Sequence, residues 1–234
     1  MSRHLDWDGC FNVRDLGGLH AADGRHTRWG ALVRADAVDR LTAAGWAALH
    51  DHGVRTIVDL RNDDELRADI APRPAGVATL HLPLDGIEDT EFWEHWKHQA
   101  PPLYYGPFLG RFPGRVVAVM SAVARAGPGG VLIHCVGGRD RTGLIAMLLL
   151  ALVGVAPDDI ADDHALSAER LVELYARAGE VDQGAIIDEL LEREGTTARE
   201  LILTTLAALD VEGYLRAAGL GDDDLTAVRE RLLA

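Results

Sequence analysis

The sequence has few cysteines and fewer basic than acidic residues, and both shortages exclude classes of protein. Two cysteines, Cys10 and Cys135, are too few for a small domain held together by disulfides, so we expect a reducing, cytoplasmic location. The formal net charge is -14. Such a balance argues against a general nucleic-acid binder and against an electrostatic membrane anchor, because both depend on clustered Lys and Arg.

Long hydrophobic runs are also missing. The longest apolar stretch, residues 144–156, is well short of the ~20 residues needed to span a bilayer, so it predicts a buried helix. Residues 1–8 have no apolar core of the kind found in signal peptides. We therefore expect a cytoplasmic protein without stable membrane association. The hydrophobic fraction of 48% is ordinary for a chain that buries a core.

Strand-like and helix-like stretches alternate through the first half of the chain, which is typical of an α/β fold with a mostly parallel sheet. Runs of β-branched and aliphatic residues predict strands near 31–34, 54–60, 77–82 and 131–134. Helices are predicted at 42–50, 89–99, 114–126 and 142–153, and throughout the part that follows Pro157. The predicted N-caps in that last part are Ser167, Thr196 and Asp222. With no convincing linker, we expect one domain over residues 1–234, its central sheet flanked by helices.

The segment from about 86 to 115 is predicted to be a helical insertion beside the sheet. Its aromatic residues are Phe92, Trp93, Trp96, Tyr104, Tyr105 and Phe108. We expect this insertion to form a lid over the functional site. The alternative is that its aromatic side chains simply pack against the sheet.

A loop with the composition of an anion site lies between the last predicted strand and the helix that follows. It begins with His134-Cys135 and continues as Val136, Gly137, Gly138, Arg139, Asp140, Arg141 and Thr142. The two glycines let the backbone curl so that successive N–H groups point inward, and the helix N-terminus adds to their positive potential. A guanidinium such as that of Arg141 matches two phosphate oxygens at once.

Cys135 at the centre of such a loop is predicted to act as a thiolate nucleophile, because helix N-termini and arginines stabilise thiolates. Arg141 and the loop N–H groups would stabilise the charge of the transition state. Thr142 is predicted to donate a hydrogen bond to the Cys135 sulfur, and His134 to orient the loop. The alternative is an inert buried thiol after a core strand.

Residues 134–142 resemble the active-site loop of the cysteine-based phosphatases, whose signature is His-Cys, five residues, then Arg and Ser or Thr. Residues 12–18, Asn-Val-Arg-Asp-Leu-Gly-Gly, resemble a motif of the atypical bacterial and fungal protein-tyrosine phosphatases. Further matches follow in family order as far as Tyr214. The resemblance implies a cysteine-phosphatase fold and hydrolysis of phosphotyrosine, with phosphoserine or phosphoinositides as further substrates. The family usually has Lys where this chain has Arg139, so the choice between protein and lipid substrates stays open.

The leaving oxygen needs a proton, and three carboxyl groups are candidates for the general acid. Asp140 lies inside the loop, where the family keeps an Asp implicated in catalysis. Asp59 ends a predicted strand at the edge where open α/β sheets bind ligands; the alternative is an ion pair with Arg61 or Arg14. Asp85 follows another strand and ranks third.

Asn12, Arg14 and Asp15 are predicted to brace the loop through hydrogen bonds, with direct contact to substrate as the alternative. We expect no cofactor and no metal, because the His-rich stretches at 50–52 and 95–98 lack a third ligand at a motif spacing. The expected partner is a phosphorylated protein or phosphoinositide. Two other functions are compatible with such a loop: a catalytically silent phosphate-binding pseudophosphatase and a rhodanese-like sulfurtransferase.

Overall fold

The computed structural model describes residues 2–234, and within them a five-stranded sheet has the order β1-β2-β5-β3-β4. The strands are β1 (Arg14–Asp15), β2 (Leu32–Ala35), β3 (Val54–Asp59), β4 (Ala78–His81) and β5 (Gly130–His134). Strand β1 is antiparallel to β2, and the other neighbouring pairs are parallel. The predicted α/β fold with a mostly parallel sheet is confirmed.

Helices connect and surround these strands. They are α1 (Ala43–Asp51), α2 (Thr90–Trp96), α3 (Tyr105–Arg111), α4 (Pro113–Arg125), α5 (Asp140–Leu152), α6 (Pro157–Ala178), α7 (Gln183–Arg193), α8 (Ala198–Ala208), α9 (Val211–Ala217) and α10 (Asp222–Leu232). Two short 3-10 turns, Asp63–Glu65 and Pro101–Tyr104, matter for the site described below. The part after Pro157 is helical, as expected.

Strand β5 shows why the strands of this sheet are continuous aliphatic runs in the sequence. Its Val131 and Ile133 belong to an apolar cluster that also contains residues of α4 and α5. Leu132 belongs to a second cluster, which includes Trp46 and Leu49 of α1. Both faces of the strand are therefore covered by helices, so every position is buried. This packing fixes where the chain emerges after His134.

Helix α5 is buried almost all round, as its apolar sequence predicts. Within residues 2–234, no helix has both the length and the apolar character needed to cross a membrane. The predicted helix caps are less accurate. Ser167 lies inside α6, fully buried, where it accepts a hydrogen bond from Arg14 (3.0 Å). Serine is common at helix N-caps, but here its hydroxyl accepts a hydrogen bond from a buried arginine.

The two other cap predictions are displaced by one residue. Thr197, not Thr196, caps α8, because its hydroxyl accepts from the Glu200 N–H (3.2 Å) in a capping box. Gly221 precedes α10, so Asp222 is the first helical residue and complements the helix dipole from there.

The segment predicted as an insertion forms an aromatic cluster against the sheet. The ring of Phe92 in α2 lies 5.0 Å from that of Phe112 and 6.2 Å from that of Phe108, and all three residues belong to the main core. The neighbouring Trp93 packs edge-on against Phe92 and Tyr104. The packing alternative therefore describes much of this segment.

Candidate active site

The loop between β5 and α5 occupies the carboxyl edge of the parallel strands. Cys135 follows β5 directly and Asp140 opens α5, so residues 135–139 form the turn between them. Open α/β sheets bind ligands at this edge. Cys135 is only 3% exposed, but it lines a pocket of about 330 Å³ together with Glu65, Arg139 and Arg141.

The backbone carbonyl groups of this turn accept hydrogen bonds from the surrounding protein. The carbonyl of Val136 accepts from the Ala37 N–H (2.9 Å), that of Gly137 from Asn12 Nδ2 (2.9 Å), and that of Gly138 from Arg34 Nη2 (2.7 Å). By contrast, the N–H groups of residues 136–139 donate to no other group within residues 2–234. With its carbonyls used on the outside, the turn keeps its N–H groups available to an anion in the pocket.

Of the two glycines expected to be needed, Gly138 carries the conformational requirement. Its φ is +66°, and a Cβ there would lie 2.2 Å from the carbonyl oxygen of Ala35. A Cβ on Gly137 would meet only the side chain of Leu171, at an ordinary 3.5 Å. Gly138 therefore allows the turn to approach β2 closely.

Glu65 orients the guanidinium of Arg141. Its carboxylate contacts both terminal nitrogens, with Nη2 at 2.7 Å from Oε1, and Asp85 Oδ2 lies 3.1 Å from Nη1. Glu65 also accepts from the Asn62 N–H (2.7 Å). Glu65 was not predicted from the sequence, although Asn62 and Glu65 have the spacing of a capping box shortly after β3.

A buried ion cluster supports the outer side of the turn. Arg14 donates to Asn12 Oδ1 (2.5 Å) and to Asp163 (2.9 Å), and Arg34 donates to the same carboxylate (2.7 Å). Burial opposes ionisation of Asp163, but the two arginines outweigh it and hold its pKa well below the ordinary value. Asn12 and Arg14 thus lie where bracing was predicted. Arg34 and Asp163 were not among the residues predicted to support the site.

Asp15 lies at the other end of the sheet. Its carboxylate accepts from the N–H groups of Gly17 (2.7 Å) and Gly30 (2.8 Å), which precede β2. Near the turn, Asp36 accepts from the Phe11 and Asn12 N–H groups (3.0 and 2.9 Å), and the Asn12 side chain in turn donates to the Gly137 carbonyl. Asp15 therefore braces backbone groups near the amino edge of the sheet, whereas Asn12 and Arg14 lie beside the turn.

Comparison with known proteins shows the family of this chain. A tyrosine phosphatase family model matches residues 5–234. The chain belongs to the tyrosine phosphatase family. It is 32% identical over 236 residues to a candidate tyrosine-protein phosphatase of Cupriavidus necator, with 93% of this chain and 85% of that protein covered. It is 31% identical to a tyrosine-protein phosphatase of Nostoc commune, with 86% and 74% covered. With the triple specificity protein phosphatase PtpB of Mycobacterium tuberculosis the identity is 27%, with 96% and 97% covered.

His134 lies at the end of β5, directly before the turn of residues 135–139. Its ring is fully buried, and burial lowers its pKa to about 4, so it is neutral at physiological pH. Its Nδ1 lies 3.1 Å from the Cys135 carbonyl oxygen. A neutral ring with a backbone partner fits the predicted role of orienting the turn.

The Thr142 hydroxyl is also buried, and it has no hydrogen-bond partner within the described chain. The predicted hydrogen bond from Thr142 to the Cys135 sulfur is therefore not present in this structure. A buried hydroxyl without a partner is uncommon in proteins.

The three predicted candidates for the general acid differ in their partners. Asp59 accepts from Arg61 at both oxygens (Nε–Oδ1 3.0 Å, Nη2–Oδ2 2.8 Å), which confirms the ion-pair alternative. Asp140 is paired with Arg139 (Nε–Oδ1 2.9 Å). Asp85 accepts from Asn62 Nδ2 (3.0 Å).

Residues of α6 and α7 and of the segment between them line the other side of the pocket next to Cys135. The lining residues from this part of the chain are Leu171, Leu174, Tyr175, Ala178, Glu180 and Gln183. Among the described residues, none between 86 and 115 lines this pocket, so the predicted lid is not its cover. Two tyrosines of this segment do come close to the site. The Tyr105 hydroxyl donates to the Asp140 carbonyl (2.9 Å). Burial raises the pKa of the partly buried Tyr104, and the nearby Asp140 and Asp85 charges add to this effect.

Arg139 closes the inner side of the pocket. Its guanidinium is buried and bonds Asp140, while its Nη1 has no partner in residues 2–234. No group of three His, Cys, Asp or Glu side chains in that same range is arranged to hold a metal ion.

Proposed function

We propose that this phosphatase hydrolyses phosphotyrosine in proteins through a phosphocysteine intermediate on Cys135. The observation that carries the proposal is the turn of residues 136–139. Its N–H groups have no acceptor within residues 2–234, and its residues Val136, Gly137 and Arg139 line the same pocket as Cys135. Such a turn binds a tetrahedral dianion without needing an excess of basic residues, which reconciles the anionic substrate with a net charge of -14.

In the first step the Cys135 sulfur attacks phosphorus and the bond to the tyrosine oxygen breaks. The turn N–H groups and Arg141 hold the equatorial oxygens, so charge is stabilised by dipoles that are already in place. In the second step water attacks the phosphocysteine and the sulfur leaves. We assign the Thr142 hydroxyl to this step, because its unpaired donor can stabilise the departing thiolate.

Substrate breadth depends on Arg139. The related PtpB is named a triple specificity phosphatase, and phosphoserine or phosphoinositide hydrolysis is the corresponding extension here. A guanidinium is larger than an ammonium and is fixed by Asp140 in this chain. We therefore place phosphotyrosine first. We also propose a cytoplasmic location, in keeping with two reduced cysteines.

The test is turnover of p-nitrophenyl phosphate and of a phosphotyrosine peptide by the wild type and by Cys135→Ser. We expect wild-type turnover at mildly acidic pH that vanadate inhibits and EDTA does not, and no turnover by the variant. Activity retained in Cys135→Ser would refute the mechanism. A wild type that binds phosphate without turnover would be a pseudophosphatase, and thiocyanate formation from thiosulfate would indicate a sulfurtransferase.

A panel of phosphotyrosine peptides, phosphoserine peptides and phosphoinositides then measures specificity. We expect the highest kcat/KM on phosphotyrosine. A matched Arg139→Lys variant shows how much of the preference the guanidinium sets, and a higher rate of wild type on phosphoinositides would overturn the ranking.

A further inference from the structure

A second cavity lies beside the catalytic pocket, where α6, α7 and α8 meet the 3-10 turn at Pro101–Tyr104. It measures about 210 Å³. Arg139 and Asp140 line both this cavity and the catalytic pocket, so the two spaces share one wall. The apolar lining of the second cavity comes from Pro102, Ala165, Ala168, Ile187 and Ala198. The cavity is therefore a separate, mostly apolar space next to the catalytic turn.

Small residues leave this space open. Ala165 and Ala168 lie three residues apart on α6, and both are exposed. Gly184 lies in the first turn of α7, and Ala198 is the first residue of α8. Larger side chains at these positions would fill part of the space between the helices. The small residues only make room, and the polar groups of the cavity indicate what it can bind.

One of these polar groups is a donor without an acceptor. Arg139 is 8% exposed, and its Nε and Nη2 donate to the two carboxylate oxygens of Asp140 (2.9 and 3.3 Å). Its Nη1 is buried and has no hydrogen-bond partner within residues 2–234. Buried polar groups normally have a partner. A ligand oxygen would supply the acceptor that this guanidinium lacks.

The second polar group is an acceptor, and its neighbours determine its tautomer. The Tyr105 hydroxyl donates to the Asp140 carbonyl (2.9 Å) and so has no hydrogen left to donate. The same oxygen lies 3.2 Å from His164 Nε2, so Nε2 must carry the hydrogen of that contact. Burial lowers the pKa of His164 to about 3, and the neutral ring then has a lone pair on Nδ1. No group among residues 2–234 donates to this Nδ1.

A hydroxyl group on an aromatic ring complements both of these groups. Its O–H can donate to His164 Nδ1, while its oxygen can accept from Arg139 Nη1. The ring matches the apolar lining in character. An anion fits poorly, because Asp140 and Asp188 also line the cavity and because an anion without a hydrogen cannot donate to Nδ1.

We propose that this cavity is a second ligand site, which binds a small neutral phenol through His164 Nδ1 and Arg139 Nη1. The site goes beyond the proposed function, because it lies outside the catalytic pocket and does not require Cys135. A phenol is also what hydrolysis of an aryl phosphate releases, so the ligand belongs to the same chemical class as that product.

The first test is an NMR titration of the wild type with p-cresol. We expect saturable binding with a Kd of about 1 mM or tighter. The amide signals of Gly184 and Ala198 should shift, because these residues line the second cavity and not the catalytic pocket. Shifts confined to Gly137 and Ala178, which line only the catalytic pocket, would overturn the proposal. So would a lack of saturable binding.

Two matched variants test the location independently. Ala168→Phe and Ala178→Phe place the same side chain at two exposed alanines of α6, the first in the second cavity and the second in the catalytic pocket. We expect Ala168→Phe to weaken p-cresol binding at least tenfold and Ala178→Phe to leave it within about twofold of wild type. The amide spectrum shows that each variant is folded. Equal effects of the two variants, or the opposite order, would contradict the assignment.

The last test uses p-methylanisole, which keeps the ring and the oxygen of p-cresol but has no O–H. It cannot donate to His164 Nδ1, so we expect its Kd to be about tenfold higher. Equal affinity of the two compounds would refute the contact with His164. None of these measurements depends on catalysis, so failure of this proposal and failure of the proposed function are distinguishable.

Discussion

At the amino edge of the sheet a pocket of about 600 Å³ is lined by Arg28, His52 and Arg231, whereas the catalytic pocket at the carboxyl edge measures about 330 Å³. In the larger pocket the arginines donate to backbone carbonyls: Arg28 to Leu233 (2.7 Å) and Arg231 to Gly129 (2.9 Å). At the carboxyl edge the carbonyls of the turn accept hydrogen bonds, whereas its N–H groups have no acceptor among residues 2–234.

The difference shows that backbone N–H groups without acceptors identify this site better than the volume of the pocket does. In parallel strands the backbone leaves the sheet at the carboxyl edge and turns directly into a helix N-terminus, where N–H groups lack partners. The arginines of the amino edge attach the C-terminal residues to the rest of the fold. The comparison therefore predicts that equivalent changes at the two edges have different effects.

The largest expected effect comes from Gly138→Ala. The Cβ would lie 2.2 Å from the Ala35 carbonyl oxygen, so the turn must shift and kcat/KM should fall by about 100-fold. The matched control is Gly53→Ala at the amino edge, where φ is also positive (+97°) but nothing lies within 4 Å. It should lose about 1–3 kcal/mol of stability and keep its kcat/KM. Equal loss of activity in the two variants would remove the distinction between the edges.

Asp163→Asn should have the next largest effect. It leaves Arg14 and Arg34 buried without their anion, so we expect about 3 kcal/mol less stability at neutral pH by chemical denaturation. Because the folded pKa of Asp163 is lowered, its stabilisation is present above the unfolded value of about 4 and is lost as the pH falls through the folded pKa. The loss of stability caused by Asp163→Asn should therefore become smaller at acidic pH. The exposed pair of Asp23 and Arg25 supplies the control, Asp23→Asn, which should be near neutral.

A smaller effect is expected from His164→Asn. The His164 ring is buried, and its Nε2 lies 3.2 Å from the Tyr105 hydroxyl oxygen. Burial lowers its pKa to about 3, so the unfolded chain takes up a proton first, near pH 6.5. The free energy of unfolding should therefore fall from about pH 6.5 toward pH 3, with a contribution of ~1.4 kcal/mol per pH unit from this group. His164→Asn should reduce the slope by one proton, and the exposed His98→Asn should not. An unchanged slope in His164→Asn would show that the ring titrates normally.

The smallest effect should come from Arg28→Gln in the larger pocket. Its guanidinium contacts only the carbonyls of Glu230 and Leu233, so kcat/KM on p-nitrophenyl phosphate should stay within about twofold of wild type. A large loss of activity would mean that a change at the amino edge alters the turn at the carboxyl edge.

The sheet and most helices could be predicted because the residues of each element determine its type without reference to distant parts of the chain. The aliphatic run of β5 and the apolar α5 identify buried elements without knowledge of their neighbours. The turn was also predictable, because a Cys, glycines and an Arg in that order have few structural uses. Ser167 was not, since its burial in α6 depends on Arg14, 153 positions away in the sequence.

The ranking of the carboxyl groups could not be predicted for the same physical reason. Whether an Asp is protonated depends on which arginine reaches it, and the pairs of Glu65 with Arg141 and Asp85 with Arg141 join segments that are distant in sequence. The pocket wall from α6 and α7 is likewise a matter of tertiary packing. Aromatic residues indicated a lid at 86–115, but they signal only burial.

The most direct measurement is to quench the enzyme with acid during turnover of p-nitrophenyl phosphate and to locate the phosphoryl group by mass spectrometry of its peptides. The account predicts one phosphoryl group, carried on the peptide that contains Cys135 and bound to its sulfur, which disappears when turnover is complete. Continued turnover with that peptide unmodified, or with the label on another residue, would contradict it.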